Sequence, residues 1–82
     1  MSIPLYQRVA LTNDLPAERL RAGDVGVVVE HYAARDDVPE GYEVEFFAAT
    51  GETVAVVSVV GVDVRPVTGR EVLSVREFAP TS

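Results

Sequence analysis

Short runs of β-branched and aromatic residues, each bounded by a turn signal, constrain this chain more than any other feature. In the clearest run, Tyr42-Glu43-Val44-Glu45-Phe46, apolar and acidic residues alternate. This alternation has the two-residue period of a half-buried strand, with Tyr42, Val44 and Phe46 facing the core. The chain is therefore expected to consist of strands rather than helices.

Four further segments carry a strand signature, so that strands are predicted at 5–12, 25–32, 42–47, 53–60 and 64–67. Single-turn connectors are expected within 16–20 and 61–63. Gly51 is predicted to have a positive φ in the hairpin turn before the fourth strand. Gly26 marks a bulge, a bend or a close backbone approach.

The valine-rich strands suggest which side chains are buried. In the first strand, Val9 and Leu11 share the face that is expected to be in the core. The second strand is expected to bury Val25, Val27 and Val29. The fourth strand is apolar on both faces.

The predicted fold class is all-β: a small SH3-like five-stranded barrel with a C-terminal extension, formed either as an extra strand or as a docking tail. The barrel is assigned to residues 1–67 and the extension to 68–82, packed on the barrel or on a partner chain. Closure of the barrel would remove exposed strand edges from a chain rich in valine.

Composition excludes several classes of function. The chain has 82 residues, 13 Asp and Glu against 7 Arg, a formal net charge of −6 and no cysteine. Disulfides, thiol nucleophiles and thiolate zinc sites are therefore excluded. The acidic balance disfavours a nucleic-acid partner. No signal segment or membrane span is recognised, which predicts a cytoplasmic protein with no membrane partner.

The few candidate catalytic or metal-binding groups have simpler interpretations. His31 is the only histidine, and no serine lies in a nucleophile-elbow sequence. Glu43 and Glu45 share one strand face, where a solvated role is favoured over acid–base chemistry or cation binding. The acidic loop 36–40 lacks the spacing of a calcium-binding loop. We therefore expect no enzyme activity, no cofactor and no metal.

The surplus of apolar residues over what one small barrel can bury is the most informative feature for function. A contiguous exposed apolar patch usually marks an interface. Val28 is expected to belong to the outward set, and the extension has apolar residues of its own. The extension could cover its own barrel or reach another chain. The predicted partner-binding residues are Phe47, Val54, Val56, Leu73, Val75 and Phe78.

An ordered set of segments resembles a known family. The segments are Leu5 to Leu11, Leu20 to Val29, Tyr42 to Phe46, Gly51-Glu52-Thr53 and Asp63 to Pro66. Together they resemble the bacterial family called domain of unknown function 4926, over about residues 5–67. The resemblance implies a small SH3-like barrel and no known catalytic residues. It also suggests an antitoxin or immunity role.

The sequence therefore predicts a non-catalytic protein-interaction module, with the antitoxin or immunity partner of a basic toxin as one form and a homodimer as another. An acidic surface suits a basic partner. The alternative is an RNA-binding barrel of KOW type, because Ala22 to Gly26 resembles the strand openings of such barrels. That alternative predicts salt-sensitive RNA binding that depends on Arg8 or Arg65.

Overall fold

A computed structural model describes residues 2–78, and the all-β prediction is confirmed. The elements are β1 (Arg8–Leu11), a 3₁₀ helix (Pro16–Glu18), β2 (Val25–Tyr32), β3 (Gly41–Phe47), β4 (Thr53–Val60), a second 3₁₀ helix (Gly61–Asp63) and β5 (Val64–Pro66). Both short connectors therefore lie where the sequence predicts a single turn. The described part of the chain contains no α-helix.

The five strands form one antiparallel sheet in the order β4-β3-β2-β1-β5. This order, with a 3₁₀ turn before the last strand, is the arrangement expected for a small SH3-like barrel. Backbone pairing does not join β4 to β5, so the sheet keeps two edges. The expectation that closure would remove exposed edges is therefore not met.

The core lies on one face of this sheet. The alternation in β3 is confirmed, since Tyr42, Val44 and Phe46 are all buried. Each such side chain contributes about 1.5–3 kcal/mol to folding. The rest of the core comes from the other strands, the first loop and the start of β5: Val9, Leu11, Leu20, Val28, Val57, Val59 and Val64.

The hairpin between β3 and β4 turns at Gly51, whose φ of +101° confirms the prediction. The Ala48 N–H donates to the Glu52 carbonyl at 2.8 Å, and the Gly51 N–H donates to the Ala48 carbonyl at 2.9 Å. A positive φ strains residues with a Cβ, so glycine suits this position.

The assignment of faces in β2 was wrong. Gly26 and Val28 face the core, and Val28 is completely buried rather than outward. Val25, Val27 and Val29 are only half-buried. A Cβ on Gly26 would lie 2.6 Å from the Val44 Cγ1 atom, so the absent side chain makes room for β3.

The first strand is shorter than the predicted 5–12. Tyr6 has a φ of +69°, outside the strand region, so regular pairing begins only at Arg8. Val9 and Leu11 are buried, as predicted.

Candidate interaction surface

The C-terminal segment, defined as residues 68–78, has no regular secondary structure and is fixed to the barrel by two ion pairs. In the first, Arg76 Nε donates to Asp24 Oδ1 at 2.9 Å and its Nη2 to Asp24 Oδ2. The same guanidinium donates to the Arg19 carbonyl at 3.2 Å. Both side chains of this pair are largely shielded from solvent, with exposures of 24% and 18%.

Burial of the Asp24 carboxyl acts to raise its pKa. The hydrogen bond from Arg76 and one from the Arg21 backbone, at 2.8 Å, outweigh that effect. The pKa of Asp24 therefore lies below its usual value, and the carboxylate is ionised when it holds the segment.

The second ion pair lies at the start of the segment. Arg65 Nη1 and Nη2 donate to Glu71 Oε1 and Oε2 at 2.9 and 2.6 Å. This bidentate contact, helped by the Thr68 backbone N–H, lowers the pKa of Glu71 to about 2. Two guanidinium–carboxylate pairs thus hold the segment at both ends.

The segment borders a groove of about 720 Å³ between itself and the sheet. Leu73 and Phe78 line it from the segment, and Val27, Phe47 and Val54 line it from the barrel. Phe78 is 37% exposed and Leu73 is 50% exposed, so each is only partly covered. Val75 also borders the groove but is 88% exposed, which leaves it free to contact another molecule.

The groove continues onto the outer face, defined here as the outward side of β2, β3 and β4. Its rows follow from the strand register and run Val27–Glu45–Val56, Glu30–Glu43–Ser58 and Tyr32–Gly41–Val60. Val27 belongs to both the groove and the first row, so the two surfaces are continuous. Val56 and Tyr32 are each about half exposed.

The outer face carries three carboxylates: Glu30, Glu43 and Glu45. Ser58 Oγ donates to Glu43 at 2.7 Å, Tyr32 Oη donates to the same carboxylate at 3.2 Å, and Thr53 Oγ1 donates to Glu45. Within residues 2–78, the ion pairs of the chain lie elsewhere, so these carboxylates are not neutralised by arginine. Desolvation, and then the nearby Glu43 charge, raise the pKa of Tyr32.

His31 lies near the end of β2, on the core side of the sheet, and is paired with Tyr42 of β3. Its ring packs against that of Tyr42 in a tilted arrangement, with 5.1 Å between the ring centroids and 32° between the ring planes. Its Nε2 atom lies 2.7 Å from Glu40 Oε2 and 3.4 Å from Ser2 Oγ. A hydrolytic triad needs the hydroxyl and the carboxylate on different ring nitrogens. Here both approach the same nitrogen, so the cluster ties the chain start to the rim.

Among the described residues, no group of three or more His, Asp or Glu side chains could hold a metal ion.

Between positions 2 and 78 there is no helix with the length and apolar character needed to cross a bilayer.

Five of the six predicted partner-binding residues meet around the groove, and the sixth lies on the outer face. Phe47, Val54, Leu73, Val75 and Phe78 line the groove, and Val56 lies in the first row of the outer face. Val54 is less available than predicted, because it is half-buried against the core. Sequence reasoning missed the Asp24–Arg76 anchor, whose residues are 52 positions apart.

A family model matches residues 5–66, which covers all five strands. The chain belongs to the family described as domain of unknown function (DUF4926). The matched region ends before the C-terminal segment, so the groove has one wall from the family domain and one from the segment. No curated protein and no solved structure matches the chain significantly.

Proposed function

We propose that this DUF4926 protein is a non-catalytic protein-interaction module that contacts its partner through the groove and the outer face. The observation that carries the proposal is the continuity of the two surfaces. Exposed apolar side chains from Phe47, Val56 and Val75 lie along it. A grouping of exposed apolar side chains of this kind is typical of binding sites.

The anchored segment favours binding because it is already fixed in place. Ordering a loose chain costs about 1–2 kcal/mol per residue for the backbone alone. Because the ion pairs at Asp24 and Glu71 already order the segment in the unbound chain, less conformational entropy is lost when a partner binds. Val75 is thus presented on a preorganised segment, which improves affinity.

The charge of the surface supports a basic partner. The chain has a net charge of −6, and Glu30, Glu43 and Glu45 lie on the outer face without an arginine partner among the described ion pairs. Opposite charges on two surfaces accelerate their encounter and exclude wrong partners. A basic toxin, held by this chain as its antitoxin or immunity protein, is one partner of that kind. We place such a module in the cytoplasm.

Affinity capture with matched variants tests the proposal. Phe47→Ser, Val56→Ser and Val75→Ser should each reduce recovery of a partner from the native host, because they remove apolar contact area. Val62→Ser is the control, since Val62 is 83% exposed and lies on the second 3₁₀ helix. If all four variants recover the same proteins as the unaltered chain, the surface does not bind a partner.

RNA binding is the second candidate, and the groove supplies one observation in its favour. Arg8, Arg21 and Phe47 line the same groove, which places basic and aromatic groups together. A gel-shift assay with single-stranded RNA at low salt tests it. Binding that weakens with Arg8→Gln would support this candidate, and no shift at low salt would dispose of it.

A further inference from the structure

The free edge of β4 is the second structural feature that suggests a ligand. Within residues 2–78, β4 pairs only with β3, and its sequence from Thr53 to Val60 has no charged residue and no proline. Edge strands are usually protected by charges, prolines or short length. The other edge, β5, is three residues long and contains Pro66, which lacks an N–H. β4 is therefore the edge that can accept another strand.

The side chains beside this edge indicate the chemistry of that strand. In the register of the sheet, Glu45 lies next to Val56 and Glu43 lies next to Ser58. Glu43 is also directly opposite Glu30, and like charges placed opposite each other destabilise a sheet. A cationic side chain over this face would relieve that repulsion.

The dimensions allow an added strand to supply such a cation. A strand paired with β4 would lie about 10 Å from β3, because neighbouring strands are about 4.8 Å apart. Ser58 is small and leaves the path to Glu43 open. A lysine or arginine stem could pack over Val56 or Val60 while its charged end reaches a carboxylate.

We propose that β4 binds an extended basic segment of a partner protein by strand addition. The segment would carry Lys or Arg at alternate positions on the side of the outer face. This inference rests on the proposed interaction function and adds how the partner binds. A second copy of the chain is the weaker occupant, because its own β4 carries no basic residue and its β3 would add further carboxylates.

The test uses the purified protein and a terminally blocked eight-residue peptide of alternating lysine and valine. Binding is followed by amide shifts and by hydrogen exchange. The expected result is slower exchange at amides within 55–60. The same peptide with glutamate in place of lysine should not bind.

Matched variants separate this site from general attraction to an acidic protein. Glu43→Gln with Glu45→Gln should weaken peptide binding at least about tenfold. Glu18→Gln with Asp37→Asn also neutralises two exposed carboxylates, but outside the outer face, and should change binding little. Ser58→Lys should block binding, because it places a fixed cation beside Glu43.

Three results would overturn the inference: equal weakening by both double variants, protection of the C-terminal segment instead of β4, or a dimer in which β4 amides are protected without peptide. The last result would identify a second copy as the occupant. Because the assay uses a synthetic peptide, it can fail while host capture through Val75 succeeds. Failure of the inference is therefore distinguishable from failure of the proposed function.

Discussion

Gly26 is the residue on which the packing of β2 against β3 most directly depends. An added Cβ would lie 2.6 Å from Val44 Cγ1 and 2.8 Å from the Glu45 carbonyl oxygen. The second contact involves backbone, which cannot move aside cheaply. We expect Gly26→Ala to lower the free energy of unfolding by about 1–3 kcal/mol through overpacking.

Urea denaturation measures this effect, with Gly69→Ala as the control. A Cβ on Gly69 would meet no atom within 4 Å. Its free energy of unfolding should therefore change by no more than about 0.5 kcal/mol. Equal losses in the two variants would contradict the packing argument.

Gly26 also shows why some faces could be predicted from sequence and others could not. In β3, glutamates alternate with apolar residues, so the charged residues mark the solvent face and the apolar residues mark the core face. In β2, Val25 to Val29 are apolar on both faces once Gly26 is ignored, so periodicity alone cannot choose. The face of Gly26 and Val28 is in the core because β3 packs closely against Gly26, where no side chain would fit.

The register shift after Val28 is a second reason why the faces of β2 could not be predicted from the sequence. It reverses the alternation of β2, so that His31 falls on the core side and Tyr32 on the outer face. A bulge adds one residue to one strand and is set by packing of the whole pair. The position of Tyr32 beside Glu43 therefore had no local signal in the sequence.

The C-terminal segment is the element whose attachment depends most on pH. Its two anchoring carboxylates, Asp24 and Glu71, have pKa values below their usual ones. A lowered folded-state pKa contributes stability that is full above the usual pKa and is lost as pH falls. We therefore expect the segment to be held above about pH 4.5 and released as the pH falls toward 2.

Hydrogen exchange of amides within 68–78, followed against pH, measures this release. Asp24→Asn with Glu71→Gln should remove the pH dependence and leave the segment loosely held at neutral pH. The quantity compared is the protection factor, which is the exchange rate corrected for its intrinsic dependence on pH. Protection factors in the segment that do not change between pH 6 and the acid range would count against the ion-pair anchors.

At the scale of the whole molecule, the charge balance determines how strongly the proposed basic partner would be attracted. Thirteen carboxylates against seven arginines give a field that attracts cations from a distance. Salt screens such attraction, with a Debye length of about 8 Å at physiological ionic strength. We expect affinity for the lysine–valine peptide to fall about tenfold or more between about 50 and 500 mM NaCl.

Titration calorimetry over a salt series measures this dependence. The Glu43→Gln, Glu45→Gln double variant should give a shallower slope, because the neutralised groups are those closest to the bound cations. A salt-independent affinity would mean that apolar contact alone holds the peptide.

The open side of β4 has a consequence for how much of this protein a cell can hold. A valine-rich strand with free N–H and C=O groups templates aggregation when it is crowded. If the proposed basic partner caps this edge, production of the chain in excess of that partner would lead to insoluble material. Balanced synthesis of the chain and the proposed partner should then keep both dissolved.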